Sequence, residues 1–364
     1  MKLAPLALML GTLAASMSVL AEAAKPDQPA AISPAERSDV VETLARKLQE
    51  QYVFPDVAVA AARLLKAHSA HGDYAQDADV EAFAKHLTRD LRAAGNDMHL
   101  HVFYDPQMVT SEGGSQTPPS PEMMDQMRAE ATQHAWGVFA VERLPGNVGY
   151  LDLRGFEPID FVAPYYGSAM SLLSGTDAMI IDLRRNGGGD PASVAYLLSF
   201  FFATGDERHL NDLYFRDGNR TREYWTNGAV TGRYTKPVYV LTSPLTFSGG
   251  EECAYDFQTQ KRAVLVGEAT GGGANPGDVT ALGHGLVAFV PNGRAINPIT
   301  HANWEHVGVK PDIEVKAADA WQRAYVEILR QLVDKQADPA RHDGMVKLLA
   351  RVEKGEPEVV DYSR

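Results

Sequence analysis

The stretch DAMIIDLRRNGGGDPASVAYLLSFFF, residues 177–202, decides the fold class. An apolar run of strand length leads through the glycines Gly187 to Gly189 into a second apolar segment, which Asp190 and Pro191 open as a helix. A strand, a glycine-bearing turn and a helix in this order form the crossover unit of a buried, mostly parallel sheet. The sequence therefore predicts an α/β protein.

Three further segments carry an apolar run of strand length, at residues 147–156, 236–260 and 262–273. In the second of them a glycine-bearing turn at Ser248 again leads straight into a helix. Sites in such sheets gather where the carboxyl ends of the strands meet helix N-termini. We therefore expect the functional site at the edge that holds the glycine turn and Ser248.

The segments outside this α/β region suggest a division of the chain. Helical periodicity predicts a helical N-terminal domain over residues 24–105, which ends in the strand NDMHLHVFY. A linker region rich in Gly, Pro and Ser begins after it, and the tail after the α/β domain reads as helix. The predicted units are therefore a signal peptide at 1–23, a helical domain at 24–105, a linker at 106–146, a catalytic α/β domain at 147–316 and a helical tail at 317–364.

Residues 1–23 carry one lysine, a short apolar run and a small-x-small end at Ala21 to Ala23. This pattern predicts a secretory signal and an exported protein, periplasmic or secreted, with no stable membrane span after signal removal. An N-terminal membrane anchor is the alternative. The formal net charge of −13 disfavours nucleic acid as a partner, and the single cysteine, Cys253, forbids an internal disulfide.

Ser248 has two interpretations. Together with Glu251 it forms the S-x-x-E capping box of a helix start, and it is also placed as a nucleophile would be. A nucleophilic serine needs a base and a third group that orients the base. His99, flanked by Asp97, is the candidate base, and Glu305 in NWEHVGVKPDIEV is a candidate carboxylate.

The motifs SPLTFSGGEE, DLRRNGGG, VGEATGGGA and NWEHVGVKPDIEV, together with NDMHL, resemble the tail-specific (C-terminal processing) serine peptidase family. The chain is similar to the branch that holds the interphotoreceptor retinoid-binding protein repeats and the tricorn core peptidase. The resemblance covers roughly residues 33–316. It implies a crotonase-like (ClpP-like) catalytic domain behind the helical N-terminal domain.

The resemblance also implies roles for particular residues. Ser248 would be the nucleophile, His99 the general base and Glu305 the supporting carboxylate. The N–H groups of Gly249 and Gly188 would form the oxyanion hole. The implied substrate is a peptide or protein, with no cofactor and no metal. A neutral histidine base with its usual pKa of about 6.5 predicts that kcat/KM rises between about pH 6 and 7.5.

The chain departs from its relatives in three places. Gly271 to Gly273 stand where tail-specific members carry a lysine base, so a Ser-Lys dyad is not possible there. Met98 stands where the tricorn core has a serine before its histidine. The linker at 106–146 is too short for the PDZ domain of many members, since an inserted domain needs about 50 residues or more.

Two other functions remain open from the sequence. A hydrophobic-ligand-binding protein on the same fold would use Met98, Phe247 and Trp304 as an apolar lining. A metallohydrolase would use His99 and His101, whose side chains project from the same face of the predicted strand about 6.6 Å apart. Asp97 or Glu305 would then have to supply a further metal ligand.

Overall fold

The structure is a computed structural model that describes residues 30–106 and 121–356. The predicted signal peptide at 1–23 lies outside the described residues. The α-helices within them are α1 (Pro34–Gln51), α2 (Pro55–His71), α3 (Val80–Gly95), α4 (Pro121–Gln133), α5 (Ile159–Leu173), α6 (Pro191–Ser199), α7 (Gly249–Thr259), α8 (Ala320–Lys335) and α9 (Pro339–Glu353). The strands are β1 (His101–Tyr104), β2 (Val138–Leu144), β3 (Val148–Leu153), β4 (Ala178–Asp182), β5 (His209–Phe215), β6 (Arg220–Trp225), β7 (Val238–Thr242), β8 (Val264–Gly267), β9 (Gly277–Gly283), β10 (Leu286–Pro291), β11 (Gly293–Ile296) and β12 (Ile313–Glu314).

A six-stranded sheet forms the centre of the α/β region, in the order β12-β8-β7-β4-β3-β2. All neighbouring pairs in it are parallel except β2 with β3. The prediction of a mostly parallel sheet is therefore confirmed. The edge strand β2 lies inside the predicted linker region, which thus contributes to the main sheet.

Helices cover both faces of this sheet, as a parallel sheet requires. On one face, Leu151 and Ile181 share a core with α5, α6 and α7, which supply Phe161, Val194 and Phe257. On the other face, Ile180 and Tyr239 pack against Ile328 and Leu329 of α8. The alternation of Ile180 and Ile181 between the two cores explains the fully apolar run in β4.

The three helices predicted for the N-terminal region are confirmed as α1, α2 and α3. The capping box of α1 is formed, because the Ser33 N–H donates to Glu36 Oε2 at 2.7 Å and the Glu36 N–H donates to Ser33 Oγ at 3.3 Å. These helices pack on a small antiparallel sheet in the order β1-β10-β9. The segment that carries His99 is therefore attached to strands that come from the α/β region.

A second three-stranded sheet, β11-β5-β6, and the helices α8 and α9 complete the described chain. Both helices lie in the predicted C-terminal tail. Within residues 30–106 and 121–356, none of the helices combines the length and the apolarity that crossing a bilayer would require.

Candidate active site

Two turns meet at the carboxyl edge of the main sheet, as the sequence predicts. β4 leads into the glycine turn and β7 leads into the Ser248 turn, and these two strands are parallel neighbours. Side chains and backbone tie the turns together: Ser243 Oγ donates to the Arg184 carbonyl at 2.5 Å, and the Phe247 N–H donates to the Asn186 carbonyl at 2.9 Å. The two turns therefore form one rigid edge.

Ser248 has a strained backbone at the N-terminus of α7. Its φ of 53° and ψ of −121° are rare for a residue with a side chain. The predicted capping box is present, and in it the Ser248 N–H donates to Glu251 Oε2 at 2.9 Å. Strain of this kind persists only where the surroundings impose it, and such outliers cluster at functional sites.

Glu251 does more than cap the helix, and the sequence did not indicate this. Its carboxylate is buried and also accepts hydrogen bonds from the N–H groups of Gly272 at 2.7 Å and Gly273 at 2.8 Å, and from the Thr270 hydroxyl. Burial raises the pKa of this carboxyl, while these hydrogen bonds oppose the rise. One side chain therefore joins the nucleophile turn to the turn that contains Gly271 to Gly273.

The glycine turn packs directly against Ser248. A Cβ on Gly188 would lie 2.7 Å from Ser248 Cβ and 2.8 Å from the Gly249 nitrogen, so only glycine fits there. The Gly188 N–H, however, donates to Asn186 Oδ1 at 2.9 Å. No hydrogen bond within residues 30–106 and 121–356 uses the Gly189 N–H, and a Cβ on Gly249 would lie 3.0 Å from that nitrogen.

This geometry differs from the expectation for Gly188. An N–H that already donates to a buried amide oxygen is not available to a developing oxyanion, whereas the Gly189 N–H beside Gly249 is. Asn186 is a further residue that the sequence did not single out. It is fully buried, and its Nδ2 donates to the Leu153 carbonyl at 3.1 Å, so it holds the glycine turn against β3.

His99 reaches this edge from the N-terminal region. It lies just before β1, is 9% exposed, and its ring centroid is 4.6 Å from that of Phe247, the residue before Ser248. A Cβ on Gly273 would lie 2.7 Å from His99 Cε1 and 2.3 Å from Phe247 Cζ. The space beside Gly273 is thus filled by two rings, which explains why a glycine stands there.

Asp97 and Glu305 lie beside His99. Each of the three side chains offers one ligand atom, and these atoms are all within 4.8 Å of one another. His99 Nδ1 is 3.9 Å from Asp97 Oδ1, and the Asp97 side chain is fully buried. The tertiary structure therefore brings together His99 and Glu305, which are far apart in sequence.

Burial controls the charges in this cluster. It lowers the pKa of His99 to about 4, with the charge of Asp97 opposing the shift. It raises the pKa of Glu305 to about 8, and the neighbouring charge of Asp97 adds to the rise. Burial therefore places the pKa of His99 below the range of about 6 to 7.5 that a solvated imidazole would give.

The alternative sites predicted from the sequence are arranged differently. His101 is absent from the three-residue cluster, and its Nδ1 pairs with the His99 carbonyl at 2.7 Å. Met98 is 45% exposed, whereas Trp304 is 3% exposed in the main core and donates from Nε1 to the Gly273 carbonyl at 2.7 Å. These positions give no support to an apolar ligand pocket lined by Met98 and Trp304.

Known proteins share both parts of this architecture. The family model described as peptidase family S41 matches residues 147–315. The model described as the N-terminal domain of peptidase S41 in eukaryotic IRBP matches residues 34–145. The two matches follow one another along the chain and together include Ser248, His99 and Glu305.

Two curated relatives are named as processing peptidases. Carboxyl-terminal-processing peptidase 2, chloroplastic, of Arabidopsis thaliana is 29% identical over 183 residues, which are 46% of this chain and 33% of that protein. C-terminal processing peptidase, chloroplastic, of Tetradesmus obliquus is 26% identical over 175 residues, which are 46% of this chain and 35% of that protein. The chain thus spans about a third of the length of these relatives.

Solved structures share the fold at low identity. Mature CPAF complexed with lactacystin has a TM-score of 0.53 at 12% identity, with 88% of this chain and 100% of that chain covered. A lipoprotein from Streptococcus agalactiae has a TM-score of 0.52 at 12% identity, with 84% of this chain and 99% of that chain covered. The predicted fold class is therefore confirmed.

Proposed function

Because the chain belongs to peptidase family S41, we propose that it is an exported serine peptidase that cleaves peptides through an acyl-enzyme. One observation carries the proposal: the strained Ser248 stands at the N-terminus of α7, and the ring of His99 packs on the adjacent Phe247. A serine held this way at a helix N-terminus is suited to attack a carbonyl carbon, because the helix dipole favours the negative charge that develops on the carbonyl oxygen.

In the proposed reaction, Ser248 Oγ bonds to the carbonyl carbon of the scissile peptide bond while its proton passes to His99 Nε2. The N–H groups of Gly249 and Gly189 donate to the oxyanion of the tetrahedral intermediate. Collapse of the intermediate breaks the C–N bond, and the leaving amine takes the proton from His99. Water then hydrolyses the acyl-serine through the same proton relay, which restores the free serine.

Asp97 and Glu305 support the base in this proposal. His99 Nδ1 faces Asp97 Oδ1, which leaves Nε2 as the ring nitrogen that can accept the serine proton. Asp97 is itself held by Tyr52 and Asn275, whose donors lie 3.1 Å and 2.9 Å from Oδ2. A negative charge at this place stabilises the imidazolium that forms during the reaction.

A serine-reactive fluorophosphonate tests the proposal. We expect mass mapping to find the label on Ser248, and Ser248→Ala to abolish both labelling and peptide cleavage. Ser174→Ala is the control for the exchange of serine by alanine and should keep both labelling and cleavage, because Ser174 follows α5 and its exposed hydroxyl donates to the Ser171 carbonyl at 2.8 Å. Melting must be measured in parallel, since loss of a cap costs about 0.5–2 kcal/mol. Labelling elsewhere, or full activity of Ser248→Ala, would refute the assignment.

Export is tested separately, by the mass of the mature protein. The proposal expects a chain that starts near Ala24 and is found outside the cytoplasm. An intact N-terminus in a cytoplasmic fraction would contradict the export part of the proposal while leaving the chemistry untouched.

A further inference from the structure

The cluster of Asp97, His99 and Glu305 contains buried polar atoms that make no hydrogen bond among the described residues. Among the described residues, His99 Nδ1 and Glu305 Oε1 are buried and make no hydrogen bond. Their side chains are 10% and 8% exposed. Leaving a buried donor or acceptor unpaired costs about 1–3 kcal/mol, so two such atoms in one cluster indicate a place for a ligand.

The other oxygen of each carboxylate is held by the protein. Asp97 Oδ2 accepts from Tyr52 Oη and Asn275 Nδ2, and Glu305 Oε2 accepts from the Ala274 N–H. The remaining oxygens are Asp97 Oδ1, which accepts from the His99 N–H at 2.9 Å and lies 3.9 Å from His99 Nδ1, and Glu305 Oε1, which makes no hydrogen bond among the described residues. Metal ligands are oriented in the same manner, because hydrogen bonds from outer groups fix the direction of each ligand atom.

We propose that Asp97, His99 and Glu305 bind a divalent zinc ion and that this ion reversibly inhibits the peptidase. One imidazole nitrogen with two carboxylate oxygens is a donor set that zinc accepts, with water in the fourth position. Tetrahedral ligands at bond lengths of about 2.0–2.1 Å stand about 3.3 Å apart. The ligand atoms lie within 4.8 Å of one another, so closure requires only side-chain adjustments.

Zinc at His99 would remove the base by fixing the wrong tautomer. A neutral imidazole that gives the Nδ1 lone pair to a metal carries its proton on Nε2. The Nε2 atom then cannot accept the proton of Ser248. The inhibitory half of this inference rests on the proposed function, whereas the binding half depends only on the three ligands.

His306 offers an approach to the cluster from the surface. Its Nδ1 lies 3.4 Å from Glu305 Oε1, and its side chain is 42% exposed. An exposed imidazole beside a buried ligand oxygen can hold an incoming zinc ion before the ion passes inward. Zinc therefore need not cross the apolar core to reach His99.

Calorimetric titration of Zn²⁺ into the full-length Ser248→Ala protein tests binding without turnover. We expect saturable binding that Asp97→Asn weakens by about tenfold or more, as the loss of a supporting or ligating group does in zinc sites. Glu305→Gln is the second variant, in case Asp97→Asn fails to fold. Absence of saturable binding below millimolar zinc, or unchanged affinity in both variants, would overturn the proposal.

Asp90→Asn is the matched control. Asp90 is also a buried aspartate beside a histidine, with His68 Nδ1 at 2.7 Å, but it lies in the helical N-terminal domain. We expect this variant to retain the zinc affinity of the parent. If Asp90→Asn loses binding while Asp97→Asn keeps it, the ion binds the other histidine–aspartate pair and the proposal is wrong.

Fluorophosphonate labelling of the wild-type protein tests inhibition. Zinc should suppress labelling of Ser248, and a chelator should restore it. If zinc binds the cluster but labelling continues, the inhibitory half is wrong while the proposed function stands. If the wild-type protein is never labelled, the proposed function fails, and the calorimetric titration still decides whether the cluster binds zinc.

Discussion

The two sides of the candidate site are built in opposite ways. Around Ser248, backbone N–H groups and the Glu251 carboxylate form a dense set of hydrogen bonds with partners at 2.7–2.9 Å. Around His99, two buried atoms make no hydrogen bond among the described residues. They are His99 Nδ1 and Glu305 Oε1. The nucleophile is thus held through one carboxylate whose oxygens accept several hydrogen bonds, and the base is surrounded by ionisable side chains that include unpaired atoms.

Because of this difference, the position of Ser248 and the charges of His99 and Glu305 should respond differently to pH. On the Ser248 side, the hydrogen bonds from backbone N–H groups favour the charged form of Glu251 and oppose the rise in its pKa, so the position of Ser248 should vary less with pH than the charges around His99. The charges of His99 and Glu305 depend on burial, which moves their pKa values in opposite directions. Substitutions on the Ser248 side should therefore change the rate at every pH. On the His99 side, the substitution Glu305→Gln should instead change how the rate depends on pH.

Loss of the base should have the largest effect. We expect His99→Ala to lower kcat/KM by about 10²–10⁴-fold, the usual contribution of a general base. His101→Ala is the matched control and should keep the parent's rate, because its Nδ1 pairs with a backbone carbonyl. Steady-state kinetics on a peptide substrate would measure both. Equal rates for His99→Ala and the parent would remove His99 from the mechanism.

A side chain at position 273 should disturb the candidate site both around Ser248 and around His99. The Cβ of Gly273→Ala would lie 2.3 Å from Phe247 Cζ and 2.7 Å from His99 Cε1, so the rings must move. A displacement of about 1 Å at a reacting group can cost about 10²-fold in rate, and we expect a loss of that order at every pH.

Gly167→Ala controls for the exchange of glycine by alanine. Gly167 lies in α5, and nothing stands within 4 Å of a Cβ placed there. This variant should keep the parent's kcat/KM and should melt no lower. A fully active Gly273→Ala would show that the packing of His99 on Phe247 is not needed for catalysis.

The pH dependence should show two rises rather than one. His99 must be neutral to act, and its pKa is about 4, so kcat/KM rises with pH through about 4. Glu305 has a pKa of about 8 and gains its charge above that pH, where it adds to the stabilisation of the imidazolium. Glu305→Gln should remove the upper rise and keep the lower one. A parent profile with a single rise between pH 6 and 7.5 would contradict this picture.

The smallest effect concerns stability. The folded-state pKa of Glu305, about 8, lies above its ordinary value of 4.5, so the folded protein holds this proton more tightly than the unfolded chain. Stability is therefore lost as pH rises from about 4.5 to about 8. Glu305→Gln removes this loss. The melting temperature of the variant minus that of the parent should therefore be larger at pH 9 than at pH 4. Thermal unfolding at the two pH values measures it, and a constant difference would argue against the raised pKa.

The sequence was enough to predict the main elements, and the reasons are local. Capping residues and helical periodicity predicted α1 to α3, and the apolar runs with glycine turns predicted the parallel sheet and its functional edge. The motifs around Ser248 could be interpreted because nucleophile, cap and helix are contiguous in the chain. The roles of Ser248, His99 and Glu305 remain proposals that the experiments above test.

Other features depended on contacts between distant segments. Glu251 was predicted as a cap, but its bonds to Gly272 and Gly273 appear only when two turns meet. The Gly188 N–H pairs with Asn186, while the Gly189 N–H has no hydrogen bond among the described residues, and this difference depends on the exact course of a turn. Short-range patterns cannot predict such hydrogen bonds, because several turn geometries suit three consecutive glycines.

The sequence by itself therefore determined which residues could carry the chemistry, since side-chain type, capping and periodicity are local properties. Only the tertiary structure decided how these residues are charged and paired. His99 and Glu305 lie more than 200 positions apart, and their pKa values of about 4 and about 8 arise from the burial that folding imposes on both. Burial and the distance between charges are properties of the assembled core, and no stretch of the chain contains them.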